Sequence, residues 1–157
     1  MRTADGTPTI SLSDLATWRD RCGNLRDMHW RELGQFKDEL SMAINWQRYD
    51  AIEASGSLLV LIVWAGRGRE PIGYSVTFLW EHMRYGDLTM AQNDMVFVHP
   101  EWRRFGIGKQ LLLRTASESR DAGARRMFWN GKPGTALPIV LSKMGYEETE
   151  VVYSKGL

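Results

Sequence analysis

The hydrophobic pattern divides the chain into a helical first third and a longer region in which strands and helices alternate. Over the first 56 residues, apolar side chains recur every three to five positions, as one buried face of a helix requires. This spacing predicts three helices: one capped by Ser13, a second from Leu25 to Leu40, and a third capped by Asn45 and ended by Gly56.

From residue 58 onward the pattern changes to short apolar runs. Leu58–Trp64 and Ile72–Trp80 are rich in β-branched and aromatic residues, and the turn-rich segment Ala65–Pro71 separates them. The two runs therefore predict a β-hairpin. Met95–Val98 predicts a further strand, which Pro100 ends.

The last 50 residues alternate between the two element types. We expect a helix from Gly106 to Ala122, a strand at Arg125–Trp129, a helix at Thr135–Met144 and a final strand at Glu148–Tyr153. The predicted order is ααα-ββ-β-α-β-α-β. Helices interleaved with strands imply an α/β (α+β) fold with a mixed central sheet flanked by helices.

Composition is typical of one globular domain. The 157 residues are 43% hydrophobic and 25% charged, which excludes intrinsic disorder. No linker or repeat divides residues 1–157, and residues 1–10 are either disordered or the first edge strand. The single Cys22, the lack of an apolar run near the roughly 18 residues of a membrane span, and the lack of a secretory signal predict a cytoplasmic protein without disulfide or metal site.

Charge is unevenly distributed, although the net charge is only +1. Residues 101–132 carry eight basic and three acidic side chains, whereas residues 25–55 and 80–94 together carry five basic and nine acidic ones. A small net charge gives no general attraction for a polyanion, which argues against nucleic acid as the partner. The basic stretch 103–126 keeps a nucleic-acid-binding module as an alternative.

A glycine loop lies between the predicted strand at Met95–Val98 and the helix that follows. Its pattern is Arg103-x-x-Gly106-x-Gly108. Glycines let the backbone approach an anion closely, and a helix N-terminus adds partial positive charge. A dinucleotide fingerprint would need a third glycine where Leu111 stands, and a P-loop would need a different glycine spacing and Ser or Thr after the lysine.

The strand, loop and helix resemble the signature of the GNAT family of N-acetyltransferases, in which Arg/Gln-x-x-Gly-x-Gly/Ala holds the pyrophosphate of acetyl-coenzyme A. The predicted element order also resembles that family's, down to Gly145-Tyr146, where many members have Gly-Phe. The resemblance implies that the protein moves an acetyl group from acetyl-CoA to a primary amine. Three segments resemble a compact subgroup often found in phage and prophage genomes: His29-Trp30-x-Glu32, His82-Met-x-Tyr85 and Asp94-Met-Val-Phe-Val-His-Pro100.

The resemblance assigns cofactor binding to the strand, the loop and one residue after the next strand. In the family, exposed backbone groups of the strand that matches Met95–Val98 bind the pantetheine arm and the acetyl carbonyl. Its N–H groups are therefore the expected donors to the developing oxyanion. The expected cofactor contacts are Val96, Phe97, Val98, Arg103, Arg104, Phe105, Gly106, Ile107, Gly108, Lys109 and Asn130.

Catalysis needs a base, because a free ammonium has a pKa near 10. Asp94 is the expected base, since several family members carry a catalytic carboxylate at the start of this strand. Its other interpretation is a residue that only satisfies a turn. Glu81 and His82, at the end of the preceding strand, are the second choice.

The expected general acid departs from the family pattern. Many members place a Tyr four residues before the glycine of Gly-Phe, but this chain has Leu141 there. Ser142, Tyr153 or water is the expected substitute, and a catalytically silent binding protein stays open as an alternative. The acidic helices and hairpin tip favour a cationic amine as acceptor, and a homodimer also stays open.

Overall fold

The computed structural model describes residues 6–66 and 69–157. Five strands form one sheet in the order β1-β2-β3-β4-β5, in which neighbouring strands are antiparallel except that β5 runs parallel to β4. The strands are β1 (Thr9–Ser13), β2 (Leu58–Ala65), β3 (Glu70–His82), β4 (Tyr85–Val98) and β5 (Arg126–Phe128). The helices are α1 (Leu15–Arg21), α2 (Gly23–Leu33), α3 (Trp46–Ala54), α4 (Ile107–Asp121) and α5 (Ala136–Lys143). The mixed sheet flanked by helices confirms the fold class expected from the sequence.

Two hydrophobic clusters cover the two faces of the sheet, and β2 contributes to both. Val60, Ile62 and Trp64 pack in the cluster that contains the buried residues of α1 and α2. Leu61 and Val63 pack in the cluster that contains the buried start of α4. Because successive strand residues face opposite sides, a strand covered on both faces is a continuous apolar run in the sequence.

The first helix begins one residue later than the sequence indicates. Asp14, rather than Ser13, is the N-cap, and its carboxylate accepts a hydrogen bond of 2.7 Å from the N–H of Thr17. Hydrogen bonding from the side chain and the backbone N–H of Thr17 lowers the pKa of Asp14. Ser13 is the last residue of β1, an edge strand whose first residue is Thr9. Residues 1–5 lie outside the described chain.

The second helix ends at Leu33, so the prediction that it continues to Leu40 is wrong. Gly34 leaves the helical conformation, with φ −54° and ψ 135°, and a Cβ there would lie 2.6 Å from the Trp30 carbonyl oxygen. Beyond this point Phe36 and Leu40 are 50% and 59% exposed. Their spacing is helical, but no core surface receives them.

The third helix and the hairpin are confirmed, although the hairpin strands are longer than predicted. The Asn45 side chain caps α3 by accepting a hydrogen bond from the N–H of Arg48. β4 begins at Tyr85, ten residues before the predicted start at Met95. The sequence pattern missed this first half because its polar residues interrupt the apolar run. Residues 67–68, which belong to the segment predicted as a turn between the first two strands of the hairpin, lie outside the described residues.

The prediction of a final strand at Glu148–Tyr153 is wrong. Within the described residues, this segment pairs with no strand. Its composition favours a strand, but strand formation needs an edge to pair with.

No helix in the described ranges is long and apolar enough to cross a bilayer.

The close packing of β3 against β4 gives a prediction for stability. A Cβ at Gly73 would lie 2.9 Å from the Phe97 carbonyl oxygen, whereas a Cβ at Gly86 of β4 would meet nothing within 4 Å. We expect Gly73→Ala to lower the free energy of unfolding by about 1–3 kcal/mol, because the packed strands must move apart. Gly86→Ala, the matched control, should change it by less than about 0.5 kcal/mol. Urea denaturation measures both, and equal midpoints would contradict the packing.

Candidate active site

A β-bulge places Asp94 at the centre of the site. Met95 of β4 pairs with Val76 of β3, but the next pair along is Asn93 with Thr77. Asp94 is therefore an extra residue without a partner on β3. A bulge of this kind bends its strand and redirects the side chain of the unpaired residue.

The bulge coincides with the point where β4 and β5 separate. The two strands pair only over Met90–Gln92 of β4, and Asn130, just after β5, fills the position beyond. Its backbone N–H donates to Asn93 Oδ1 at 2.5 Å, and its side-chain Nδ2 donates to the Asn93 carbonyl at 2.9 Å. From residue 94 to 98, the backbone groups of β4 that point away from β3 face no other strand of the described chain.

Asp94 is accessible but surrounded by protein. The residue is exposed, yet its carboxyl lies against α3, where the Tyr49 hydroxyl donates a hydrogen bond to Oδ2. Desolvation by the surrounding atoms raises the pKa of Asp94, and the hydrogen bond from Tyr49 opposes that rise. The same contact and burial raise the pKa of Tyr49, which stays a protonated donor. Asp94 is thus an exposed residue whose carboxyl is partly desolvated where it meets α3.

A short 3-10 helix, Pro100–Phe105, connects β4 to α4 and shapes the glycine loop. His99 caps it, because its Nδ1 accepts a hydrogen bond of 3.3 Å from the Glu101 N–H. Gly106 follows in the left-handed conformation, at φ 71°, which a residue with a Cβ adopts only with strain. This glycine lets the chain turn directly into α4.

The start of α4 has no capping side chain. The N–H groups of its first turn are therefore available to an anion, with the helix dipole adding to the attraction. A Cβ built at Gly106 or Gly108 would meet nothing within 4 Å, so the surface beside both glycines is open. The expected anion cradle is present as a geometric feature.

The Arg103 side chain points to α2 rather than to the anion cradle. Its guanidinium donates two hydrogen bonds to the Glu32 carboxylate, at 2.7 and 2.8 Å, and its Nε donates to the Val98 carbonyl at 2.8 Å. The hydrogen bonds from Arg103 lower the pKa of Glu32. Arg103 therefore ties the loop to α2, and its guanidinium is already occupied.

A second contact from α2 holds the end of β4. The His29 ring stacks on Phe97, with 4.9 Å between centroids, and Nδ1 shares a hydrogen bond of 2.7 Å with the Tyr74 hydroxyl. Burial lowers the pKa of His29 to about 4, so its ring is neutral at ordinary pH. His29 is a packing group beneath the strand.

The other expected cofactor contacts divide into backbone and side-chain groups. Phe97 is buried in the cluster with α1 and α2, and Val98 and Ile107 are buried in the cluster with α4, so these three residues offer mainly backbone groups to a ligand. Val96 is partly buried against the second cluster. Arg104, Phe105 and Lys109 are exposed. Lys109 and Lys143 also line an open groove of about 540 Å³ between α4 and α5.

Glu81 and His82 lie at the hairpin tip, away from Asp94. Glu81 pairs with Thr89, five residues before Asp94, which at about 3.3 Å per residue places it roughly 16 Å along the strand. His82 stacks between Trp80 and Tyr85, and its Nδ1 accepts a hydrogen bond from the Arg84 N–H. The structure does not bring these two residues to the bulge.

The candidate general acids make no hydrogen bond to Asp94 within the described chain. Leu141 is 8% exposed and belongs to the core. Ser142 is exposed on α5, and Tyr153 is 89% exposed on the segment that follows it. Among the described residues, Tyr49 is the residue whose hydroxyl is hydrogen-bonded to Asp94. The sequence analysis did not identify Tyr49, because 45 residues separate it from Asp94.

Comparison with known proteins agrees with this geometry. A sequence profile described as the acetyltransferase (GNAT) family matches residues 23–137. No curated protein matches the chain by sequence.

Solved structures of low sequence identity share the fold. Ribosomal-protein-alanine N-acetyltransferase from Brucella melitensis biovar Abortus 2308 is 14% identical, with a TM-score of 0.74 over 97% of this chain and 99% of that one. An aminoglycoside acetyltransferase from an uncultured soil metagenomic sample is also 14% identical, with a TM-score of 0.73 over 96% of each chain. AAC(6')-Iy, in complex with the bisubstrate analogue CoA-S-monomethyl-acetylneamine, is 20% identical, with a TM-score of 0.71 over 97% of this chain and 99% of that one.

The family profile covers most of the chain, and its span includes the bulge, the strand separation and the glycine loop. The chain therefore belongs to the acetyltransferase (GNAT) family and is an acetyl-CoA-dependent N-acetyltransferase.

Proposed function

We propose that the enzyme acetylates a primary amine that attacks the thioester of acetyl-CoA directly, while both substrates are bound. The observation that carries this proposal is the position of Asp94, an accessible carboxylate at the point where β4 leaves β5. The same strand continues through the 3-10 helix to the uncapped start of α4. A proton acceptor and an anion cradle thus lie on one continuous segment.

The residues present fit coenzyme A at two places. The open surface beside Gly106 and Gly108 and the uncapped N–H groups of α4 suit a pyrophosphate. The backbone edge of β4 from Met95 to Val98 faces no other described strand, and of these residues the Val98 carbonyl already accepts a hydrogen bond from Arg103. The remaining groups suit the amides of a pantetheine arm, which can extend the sheet in place of β5. When bound, acetyl-CoA supplies an acetyl group activated as a thioester.

Each expected cofactor contact except Arg103, whose guanidinium is bound to Glu32, takes a role that its position allows. We assign backbone hydrogen bonds to Val96–Val98 and Gly106–Gly108, and long-range positive charge to Arg104 and Lys109, which are exposed beside the cradle. Phe105, 58% exposed, is available as a wall for the ligand. Asn130 donates two hydrogen bonds to Asn93 and borders the gap that opens between β4 and β5 beyond this point.

Asp94 is the proposed general base. A carboxylate whose pKa lies above its ordinary value is a better proton acceptor near neutral pH than an ordinary one. Among the described residues, Tyr49 is the only hydrogen-bond donor to this carboxylate, and it contacts Oδ2. Oδ1 remains available to accept a proton from the ammonium of the acceptor, directly or through water.

We assign no side chain to protonation of the departing thiolate. Leu141 has no proton to give, and within the described chain neither of the exposed residues Ser142 and Tyr153 makes a hydrogen bond to Asp94. A thiol has a pKa near 8.5, so water is a sufficient proton donor near neutral pH.

The proposed acceptor is an amine that carries further positive charge, such as a polyamine, a lysine side chain or an amino sugar. The first helices and the hairpin tip hold an excess of acidic residues. Part of this excess is paired: Glu32 with Arg103, Asp50 with Arg19, and Glu53 with the Leu15 N–H. Asp94, whose Oδ2 alone accepts a hydrogen bond from another described residue, is the carboxylate proposed to attract the cation.

Nucleic-acid binding by residues 103–126 gains no support from the structure. Carboxylates pair with three of the arginines in this stretch: Arg103 with Glu32, Arg114 with Glu118, and Arg120 with Asp121. The silent binding protein differs from the proposed enzyme only in turnover, which the variants below measure.

The anion cradle is tested by filling it. Gly108 has an ordinary φ and open space beside it, so Gly108→Trp should fold while its indole occupies the cradle. We expect acetyl-CoA at about 100 times its Kd to stabilise the parent protein by about 2.7 kcal/mol, and Gly108→Trp to lose this stabilisation. Gly108→Ala, which the family signature also allows, is the control and should keep it. Equal ligand-induced increases in Tm for the two variants would rule out the cradle.

The base is tested by removing its charge. Asp94→Asn should lower kcat by about 10²- to 10⁴-fold, the usual contribution of a general base, with little change in KM for acetyl-CoA. Steady-state kinetics with a polyamine, a lysine peptide and an amino sugar, and with neutral amines of similar size, measures both the loss and the preference for cations. An Asp94→Asn enzyme with the parent rate would exclude Asp94 as the base.

The hydrogen bond from Tyr49 predicts a shift in the pH profile. This bond lowers the pKa of Asp94, so Tyr49→Phe should raise that pKa further. Because the base must be deprotonated to act, the acid limb of kcat/KM should move to higher pH. Tyr85→Phe, at the exposed hairpin tip, is the control and should leave the limb in place. An unmoved limb in Tyr49→Phe would show that Asp94 does not set it.

A further inference from the structure

The Arg103 side chain closes the outer end of the open edge of β4. The His99 N–H donates to the Ile72 carbonyl at 2.8 Å, so the backbone groups of His99 point to β3. Because these groups alternate in direction along an antiparallel strand, those of Val98 point away from β3, into the gap between β4 and β5. The Val98 carbonyl is the group that accepts the hydrogen bond from Arg103 Nε. The last carbonyl of β4 that faces the gap is therefore already bound.

The rest of the Arg103 side chain is also engaged. Its guanidinium carbon lies 5.1 Å from the centre of the Phe97 ring, and its two terminal nitrogens bind the two carboxylate oxygens of Glu32. To bind a cofactor phosphate instead, the arginine would give up a two-point ion pair, a cation–π contact and its hydrogen bond to the buried Val98. The geometry therefore favours an Arg103 that stays between α2 and the strand end.

The end of α2 is a fixed point for this contact. The helix ends where the Gly34 N–H donates to the Trp30 carbonyl at 2.9 Å. From the loop that follows β5, Lys132 Nζ donates to the Leu33 carbonyl at 3.3 Å. Glu32 and Leu33 are consecutive, so the end of α2 is bonded both to the segment after β4 and to the segment after β5. The helix thus links the two sides of the gap.

We propose that Glu32 is a positioning residue for the binding of coenzyme A. It acts through Arg103, which it holds on the Val98 carbonyl, and so fixes the 3-10 helix and the start of α4 relative to the open edge of β4. The inference rests on the proposed function, in which coenzyme A contacts both that edge and the anion cradle. A ligand that must contact two surfaces at once binds best when the distance between them is already set.

The charge of Glu32 makes the sign of its effect diagnostic. Coenzyme A is an anion, so a carboxylate near its site repels it, and removal of the carboxylate alone would strengthen binding. If Arg103 were a direct ligand of the pyrophosphate, removal of Glu32 would release it and again strengthen binding. Removal of Glu32 weakens binding only if the carboxylate acts by holding Arg103 in place.

Isothermal titration of coenzyme A into the whole chain tests this role. We expect Glu32→Gln and Arg103→Gln each to raise Kd by about 3- to 10-fold, a coupling of the size usual for residues in contact. The double variant should bind no more weakly than Arg103→Gln alone, because Glu32 acts only through that arginine. Asp27→Asn, which removes the same charge from an exposed position on α2, is the control and should keep the parent Kd. A parent-like or tighter Kd for Glu32→Gln, or a further loss in the double variant, would overturn the proposal.

Steady-state kinetics adds a readout that a loss of stability would not give. KM for acetyl-CoA should rise in Glu32→Gln, while kcat and the acid limb of the pH profile stay as in the parent. The reason is that Asp94, among the described residues, is hydrogen-bonded to Tyr49 and not to Glu32 or Arg103. A fall in kcat with an unchanged KM would place Glu32 in the chemistry and overturn the positioning role.

The cradle and the positioning role fail in different experiments. If Gly108→Trp keeps its stabilisation by acetyl-CoA, the cradle is wrong and the positioning role falls with it. If Gly108→Trp loses that stabilisation while Glu32→Gln binds coenzyme A as the parent does, the cradle stands and only the positioning role is wrong.

Discussion

The site depends on the separation of β4 from β5 beyond Gln92. A ladder continued past this residue would use the backbone groups that a ligand must reach. Where the two strands separate, the carbonyl of Asn93 and its side-chain oxygen still have partners, because Asn130 donates to the first from its side chain and to the second from its backbone N–H. Buried polar groups that lose a partner cost about 1–3 kcal/mol each, so these two hydrogen bonds are what makes an open strand compatible with a folded sheet. The bulge leaves Asp94, at the start of the separated part of β4, without a partner on β3.

One helix holds both the end of the open strand and the loop that follows it. His29 and Glu32 lie three positions apart on α2, and residues with this spacing share one face of a helix. His29 stacks on Phe97, and Glu32 binds Arg103. The Glu32 pair is half exposed, so its importance is geometric rather than energetic. α3 completes the arrangement from the other side of Asp94. The proposed base and the residues that support it thus come from distant parts of the chain.

Local signals predict much of the fold, and the features that depend on distant residues are the ones they miss. The glycine loop, the α4 start and the β2 run follow from adjacent residues, and the structure contains all three. The bulge depends on register with β3, and the Tyr49–Asp94 contact joins residues 45 positions apart, so no local pattern contains either. Two errors have the same cause. The helix expected to reach Leu40 and the strand expected at Glu148–Tyr153 both have suitable spacing or composition, but within the described chain neither segment packs or pairs against another element.

A titration of ¹⁵N-labelled protein with acetyl-CoA, followed by amide chemical shifts, tests most directly whether the open strand is the ligand site. The shifts should change most for Met95–Val98 of β4 and for Ile107–Lys109 at the start of α4, because these backbone N–H groups contact the ligand. The amides of β1, at the far edge of the sheet, should stay unchanged. Changes confined to other parts of the protein, with β4 and the start of α4 unaffected, would contradict the assignment of this opening as the active site.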